Sequence, residues 1–421
     1  MTFEIVPQKL IYGGDALGHH EGRAVFVPRV LPGERAEVEA VRIAKGVVHA
    51  RPLRILDASP ERVEPPCPYF GRCGGCDYQH LEAQRQAEVK RDILLETLRR
   101  TGKIDWKGPV AVHAAQPRGY RNQVQFKVGR NAEGRTEIGF FEAYSHRLFP
   151  VEKCLLLSER LNQILCELRS ERWADRLEGF TEIELFADHA DEHAMAILLG
   201  ARPNGEELAK EILESVPGVA SVAVETGNGL CVLGEPHLTY AVGEFRYRVS
   251  PASFFQVSRF LLSHLVDAVI GSELGETALD LFAGVGLFTL PLARRYANVV
   301  GVEASASAAA DLAVNAKAHG LANIRTAAAS AQNFLRRLAQ RGIDLVVLDP
   351  PRAGVEASVL RLLMGLQPKR IHYVSCSPPT LARDLALLVT QGYALESVEM
   401  FDFFPHTYHL ESLVRLVRRG A

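Results

Sequence analysis

The sequence of 421 residues predicts a multidomain α/β protein. It would comprise a small N-terminal β-barrel of the OB type, a central α+β domain and a C-terminal domain built on a parallel sheet. Three observations predict this. Short apolar runs broken by glycine turns fill the first 58 residues, as in a little barrel. A proline-rich connector from Pro60 to Pro68 then leads into a cluster of cysteines. From Leu279 onward, strand patterns alternate with helical ones, the grammar of a parallel sheet with helices on both faces. The boundaries read as 1–58, 59–249 and 250–421, and a chain of this length holds two or three domains of roughly 150 residues.

Composition narrows the class. Apolar residues make up 47% and charged residues 23%, which excludes disorder as the dominant state. A net charge of −2 excludes a globally basic nucleic-acid binder, so any such contact comes from local patches. No apolar run approaches the ~18 residues of a membrane span. The first ten residues lack a basic stretch followed by an apolar core, so neither a signal peptide nor a membrane partner is expected, and the expected location is cytoplasmic. No long apolar stripe calls for an obligate protein partner.

In the first unit, residues 23–27 and 37–42 alternate apolar and polar positions, separated by Gly13-Gly14, Gly18 and Pro32-Gly33. Residues 81–100 read as an amphipathic helix, with Val89, Ile93, Leu94 and Leu98 on one face. Its other face carries Arg85, Lys90, Arg91, Arg99 and Arg100 beside Glu88, Asp92 and Glu96, the pattern of a solvated surface. Strand patterns follow at 121–128, 138–141 and 147–151. In the last unit the apolar run 278–282 precedes Gly284, Gly286 and a helix from Phe288. The run 299–302 ends in Glu303, 345–348 in Asp349-Pro350-Pro351, and 371–374 in Ser375-Cys376. Ligands of such sheets bind beyond the carboxyl ends of the strands, which is where these polar residues fall.

Seven cysteines, an odd number, do not suit a disulfide scaffold. Cys67, Cys73 and Cys76 sit together and suggest a metal or cluster site. Cys166 and Cys231 read as core residues.

The C-terminal constellations carry chemistry. A strand enters the turn Ala283-Gly284-Val285-Gly286, where glycine lets a ligand approach the backbone. Glu303, 17 residues after Gly286, can accept hydrogen bonds from both hydroxyls of a ribose. No third glycine stands at the dinucleotide spacing, so S-adenosyl-L-methionine fits better than a pyrophosphate cofactor. Asp349, held by two prolines, can be aimed into the same site. Arg352 stands where amino-methylating enzymes often carry an aromatic, which argues against adenine N-methylation. Cys376 is a small hydrophobe or a nucleophile, and the helix opening after it would lower its thiol pKa. Glu411, after His406 and His409, can act as a general base.

One reaction uses all of these. Uracil C5 is too weak a nucleophile to take a methyl group directly. A thiolate adding at C6 makes C5 enolate-like, C5 takes the methyl group, a base removes the C5 proton, and the cysteine leaves.

At Ser253-Phe254-Phe255-Gln256-Val257, residues 279–290, Asp349–Arg352, 375–384 and 405–411, the chain resembles the RNA 5-methyluridine methyltransferase family, over nearly its whole length. The resemblance implies a Rossmann-like S-adenosylmethionine-dependent domain, with Cys376 as nucleophile and Glu411 as base. It puts Phe282, Gly284, Glu303 and Asp349 in the cofactor pocket, Gln256 between cofactor and target base, and Phe254 beside the base. It also implies that Cys67, Cys73, Cys76 and the distant Cys154 ligate a [4Fe–4S] cluster, with zinc as the alternative. The first unit then resembles a TRAM domain offering Arg23, Arg29, Arg35 and Arg42 to phosphates, and Tyr120-Arg121-Asn122 falls in an RNA-recognition domain. A TRAM domain with an iron–sulfur motif points to the family members acting on 23S rRNA; tRNA is the alternative substrate.

Three positions depart from the family pattern. Ser377 and Ser258 replace asparagines, and Leu287 stands where a polar residue often contacts the cofactor. A noncatalytic RNA-binding factor on the same fold is a further alternative, resting on Leu287 and Ser377 alone.

Overall fold

The computed structural model describes residues 1–131, 133–173, 175–200, 202–338 and 342–420. The N-terminal unit is a six-stranded sheet of β1 (Thr2–Ile5), β2 (Lys9–Leu10), β3 (Asp15–His20), β4 (Arg23–Pro28), β5 (Arg35–Ala44) and β6 (Val47–Asp57), in the order β1-β5-β6-β4-β3-β2. Alternation along these strands sends Val25, Val27, Ala36 and Val38 to one buried face. Tyr78, Leu81 and Ile93, from beyond the connector, complete that core.

The expected helix is α1 (Ala83–Arg100). Ile93, Leu94 and Leu98 are buried as expected, and Val89 is half-buried. Lys90 corrects the reading of a solvated face: its side chain is 0% exposed and donates to Asp402. The strand that follows, β7 (Val110–Ala114), belongs to the C-terminal sheet, and α1 packs there too. Residues 83–114 thus lie apart from the unit to which a boundary at 58 assigns them.

The central sheet contains β8 (Gln123–Arg130), β9 (Thr136–Phe141), β10 (Leu148–Pro150), β11 (Glu182–Ala187), β12 (Ala194–Leu199), β13 (Val219–Thr226) and β14 (Gly229–Gly234), ordered β10-β9-β8-β11-β12-β13-β14. Helices α2 (Glu159–Leu168) and α3 (Gly205–Ser215) bury Leu161, Ile164, Leu165, Leu208 and Ile212 in its core. Cys166 is exposed on α2, not in the core, and Cys231 is partly buried against it.

A hairpin of β15 (Leu238–Val242) and β16 (Phe245–Val249) leads to α4 (Leu262–Ile270) and the third sheet. Its further elements are β17 (Gly275–Leu281), α5 (Thr289–Leu292), β18 (Tyr296–Glu303), α6 (Ala306–Ala318), β19 (Ile324–Ala328), α7 (Ala331–Arg337), β20 (Leu345–Leu348), α8 (Ala357–Leu366), β21 (Arg370–Ser375), α9 (Pro378–Thr390), β22 (Tyr393–Asp402) and β23 (Glu411–Arg418). The order is β19-β18-β17-β20-β21-β23-β22-β7. The expected parallel pairing holds from β19 to β21, but β23 runs antiparallel between β21 and β22. The helix expected from Phe288 is only the four residues of α5, with Phe288 at its N-cap. Among the described residues, no helix is long and apolar enough to cross a membrane.

Candidate functional site

The carboxyl ends of β17, β18, β20 and β21 open into one cavity of about 1170 Å³. The turn after β17 is tight: Gly286 has φ 100°, and a Cβ there would lie 2.5 Å from Leu312 Cδ1, so only glycine fits. This turn brings Gly284 N to Glu303 Oε2, to which it donates at 2.9 Å, while Ser305 N donates to Oε1 at 2.7 Å. Both oxygens are thereby oriented and keep a further lone pair for a ligand. Beneath them Asp280 is fully buried and accepts from Thr289 Oγ1 at 2.5 Å. Burial pushes its carboxyl up to about 7, and its Oδ1 has no partner. Asp349, at the end of β20, accepts from Gln256 Nε2 at 3.3 Å; burial, then the neighbouring Asp280, pushes it to about 7.

Asp280 was not singled out from sequence, although an aspartate inside a buried apolar strand is itself a signal. Asp311 was also missed. It accepts from Ser253 Oγ at 2.7 Å, from Ser250 N at 2.8 Å and from Arg248 Nε at 2.8 Å. It thus ties the segment carrying Phe254 and Gln256 to α6. Phe254 itself is 64% exposed and lines the cavity, as Gln256 does.

Cys376 follows β21 and is half-buried in the same cavity as Glu411, the first residue of β23. The expectation of a depressed thiol pKa is corrected: burial, then Glu411 and Asp349, pushes Cys376 up to about 12. Two carboxylates and desolvation outweigh Arg352 and the helix end. Glu411 is 3% exposed, with Oε1 unpartnered, and burial followed by the proximity of Asp349 raises its carboxyl well above the usual range. Arg352 is the cation that opposes both shifts.

The loop before Glu411 is clamped by segments the sequence did not connect to it. Lys90 Nζ donates to Asp402 Oδ1 at 2.7 Å and to Phe404 O at 2.9 Å. His406 N donates to Gln86 Oε1 at 2.7 Å, Tyr120 Oη donates to Pro405 O at 3.1 Å, and Tyr408 N donates to Asp77 Oδ2 at 3.1 Å. Burial lowers His406 to about 4 and His409 to about 3, so both rings are neutral near pH 7.

Cys67, Cys73, Cys76 and Cys154 line this cavity as well. Gln79 ties two of them, accepting from Cys67 N at 3.1 Å and donating to Cys76 Sγ at 3.2 Å. Burial pushes Cys73 up to about 11 and raises Cys76 and Cys154 as well. Among the described residues, no three His, Cys, Asp or Glu side chains converge as ligands of a single metal ion. Leu287 is 7% exposed at the cavity wall, and its carbonyl accepts from Tyr247 Oη at 3.1 Å.

A family model described as tRNA (Uracil-5-)-methyltransferase matches residues 83–419. The chain belongs to the tRNA (uracil-5-)-methyltransferase family. The matched segment begins at α1, in keeping with the packing of α1 and β7 on the C-terminal sheet. Relatives extend the likeness to the whole chain. An uncharacterized RNA methyltransferase of Aquifex aeolicus is 35% identical over 98% of each chain. The 23S rRNA (uracil(1939)-C(5))-methyltransferase RlmD of Alkalilimnicola ehrlichii is 35% identical over 99% of this chain and 97% of its own. The RlmD of Pectobacterium atrosepticum is also 35% identical, over 95% and 90%. The crystal structure of Pyrococcus abyssi tRNA (uracil-54, C5)-methyltransferase in complex with S-adenosyl-L-homocysteine has a TM-score of 0.77 and 26% identity, covering 99% of this chain and 100% of that one.

Proposed function

We propose that the protein methylates C5 of uridine in RNA, with 23S rRNA as substrate and S-adenosyl-L-methionine as donor. The observation that carries this reading is the meeting of Cys376, Glu411, Asp349 and Glu303 in one cavity. The RlmD relatives, at 35% identity over nearly full length, support the 23S rRNA substrate.

The donor's residues are in keeping with a nucleoside: Glu303, oriented by two amides, would take the ribose, and Phe282, Gly284 and Asp349 would line its pocket. S-adenosyl-L-methionine, when bound, supplies the methyl group. The chain's own residues do the rest. Phe254 receives the flipped uracil, and Gln256 reaches between base and donor. Cys376 gives up its thiol proton to solvent and its Sγ bonds to C6, and the electron pair so placed at C5 takes the methyl group as the bond between that group and the donor's sulfur breaks. Glu411 then takes the C5 proton, and the Cys376–C6 bond breaks to restore the ring. Arg352 favours the anionic forms of Cys376 and Glu411.

The four cysteines would hold a [4Fe–4S] cluster in a structural or RNA-binding role. Three thiols that burial holds above their ordinary pKa, those of Cys73, Cys76 and Cys154, suit a cationic core that draws off their protons. Such a cluster spreads its ligands over several irons, so the sulfurs need not converge on one ion. The N-terminal sheet would act as a TRAM-like barrel for RNA, the central sheet as the recognition domain and the C-terminal sheet, with α1 and β7, as the catalytic domain, working on RNA in the cytoplasm.

The test is tritium release from RNA labelled at uridine C5, with Cys376→Ala as control. Release that needs both donor and Cys376 supports the reading; release by Cys376→Ala overturns the nucleophile. Competition between 23S rRNA fragments and tRNA separates the substrates, the tRNA reading being favoured by the fold of the Pyrococcus abyssi enzyme. Iron and acid-labile sulfide after anaerobic purification test the cluster, and stoichiometric zinc without sulfide overturns it.

A further inference from the structure

The hairpin of β15 and β16 forms a sheet of its own, so the outer edge of β16 has no neighbouring strand. Helix α6 covers that edge with side chains. Arg246 N donates to His319 Nε2 at 3.1 Å, Arg248 N to Asn315 Oδ1 at 2.7 Å and Ser250 N to Asp311 Oδ2 at 2.8 Å. Asn315 Nδ2 also donates to Arg248 O at 3.2 Å, so its carboxamide pairs with that residue as a strand would. Every second residue of this stretch thus meets every fourth residue of the helix. The spacings match: four helical residues advance about 6 Å and two extended residues about 6.6 Å. The series ends at Ser253, whose hydroxyl donates to Asp311 Oδ2 at 2.7 Å and lies 2.8 Å from Ser307 Oγ.

Two members of the series hold the cavity wall from behind. Asn315, 2% exposed, donates to Val285 O at 2.9 Å, in the glycine turn on the donor side. Asp311, equally buried, anchors Ser253 at the start of the segment that carries Phe254 and Gln256. At the other end of that segment Val257 O accepts from Asn122 N at 3.1 Å. Between these anchors, among the described residues, Phe254, Phe255 and Gln256 make no backbone hydrogen bond. Phe255 packs on Tyr240, with ring centroids 4.7 Å apart. The backbone of Phe254 and Gln256 is therefore placed by its two anchors and by that one buried ring.

We propose that Asp311 and Asn315 are positioning residues that set the uracil side and the donor side of the cavity against one another through a single helix. This rests on the uracil-C5 methylation proposed above. Asp311 acts through Ser250 and Ser253 on the backbone of Phe254 and Gln256. Asn315 acts through the Val285 carbonyl on the turn that presents Gly284 to Glu303. Methyl transfer needs C5 and the methyl carbon aligned at about 3–3.5 Å, and a misplacement of about 1 Å costs about a hundredfold in rate. The two residues are four positions apart on α6, so both halves of the cavity share a reference that neither ligand has to create.

The experiment compares wild type, Ser253→Ala, Asp311→Asn, Asn315→Asp and His319→Ala. It measures single-turnover methylation, calorimetric binding of S-adenosyl-L-homocysteine, and amide hydrogen exchange by mass spectrometry. Ser253→Ala and Asp311→Asn should slow single turnover about ten- to a hundredfold. They should speed exchange at residues 254–257 and leave binding of S-adenosyl-L-homocysteine within about twofold of wild type. Asn315→Asp keeps the acceptor for Arg248 N and loses the donor to Val285 O. It should weaken S-adenosyl-L-homocysteine about fivefold, the worth of one hydrogen bond, and speed exchange at residues 283–286. His319→Ala, at the exposed end of the series, should change none of these. Where Asp311→Asn does not fold, Ser253→Ala decides the uracil side, and Asn315→Ala replaces an unfolded Asn315→Asp. A Ser253→Ala protein with wild-type turnover and unmoved exchange would overturn the role of Asp311. Equal damage to both sides from every variant would show a helix that only holds the fold together, and would overturn the proposal. If wild type itself releases no Cys376-dependent tritium, the methylation reading has failed instead. Exchange and S-adenosyl-L-homocysteine binding then still decide whether α6 places the two sides separately.

Discussion

Lys90 and Asp402 form an ion pair 2.7 Å long, wholly buried and separated by 312 residues of sequence. The ammonium also donates to Phe404 O, so one side chain of α1 pins the start of the loop that leads to Glu411. Removing one partner leaves the other charge uncompensated. Lys90→Met is expected to cost about 3–5 kcal/mol of stability, and Lys90→Met with Asp402→Leu should recover most of it. Denaturant unfolding measures both; equal stability of the single and double variants would refute the pairing argument.

Glu411→Gln and Cys376→Ala should fail differently. Glu411→Gln removes the base but leaves the nucleophile, so a covalent protein–RNA adduct should accumulate while turnover falls about 10²–10⁴-fold. Cys376→Ala should form no adduct at all. Denaturing gels with labelled RNA distinguish them, and an adduct in Cys376→Ala would reassign the nucleophile.

Cys376 and Glu411 are both held above their ordinary pKa values, mainly by burial. Each must lose its proton to act as proposed, so activity should rise with pH through the neutral range. Arg352 lowers both pKa values. Arg352→Gln should therefore move the acid limb of the rate profile to higher pH. A limb that stays in place, or moves to lower pH, would exclude Arg352 as the cation acting on the pair.

Asp349 has a folded pKa of about 7 against an ordinary value of 3.8. A carboxyl raised by folding contributes stability below its unfolded pKa and loses that contribution as pH rises towards the folded one. The donor-free protein should thus lose stability between pH 4 and pH 7 at this site. Asp349→Asn should be more stable than wild type above pH 7, by about 1–3 kcal/mol, and should bind S-adenosyl-L-methionine poorly. Thermal melts across pH, with and without donor, check this; a variant less stable than wild type at pH 8 would count against the burial argument.

Much of the site was legible because a parallel sheet delivers its ligands at strand ends. Glu303, Asp349 and Cys376 each follow an apolar run in the sequence, and each run is a strand. What supports them was not legible. Lys90 looks like any lysine on a mixed-charge helix, because its partner lies on a strand 312 residues later. Asp311 looks like a surface acid of an alanine-rich helix until Ser250 and Ser253 fold onto it. The strand β7 looks independent of the sheet it joins, since its neighbour β22 comes nearly three hundred residues further on. The expected depression of the Cys376 pKa does not occur, because burial and then Glu411 and Asp349, which folding brings up beside the thiol, outweigh the helix end.

The place of β23 carries a consequence for biosynthesis. It is later in the chain than both strands it joins, and it wedges between β21 and β22. Until residues 411–418 have left the ribosome, β22 and β7 have no ladder connecting them to the rest of the sheet, and Glu411 cannot reach the cavity. A nascent or prematurely terminated chain that stops short of residue 411 therefore has every strand of the N-terminal sheet and lacks the strand that begins at Glu411. Only when β23 pairs with both of its neighbours do β22 and β7 become part of the same sheet.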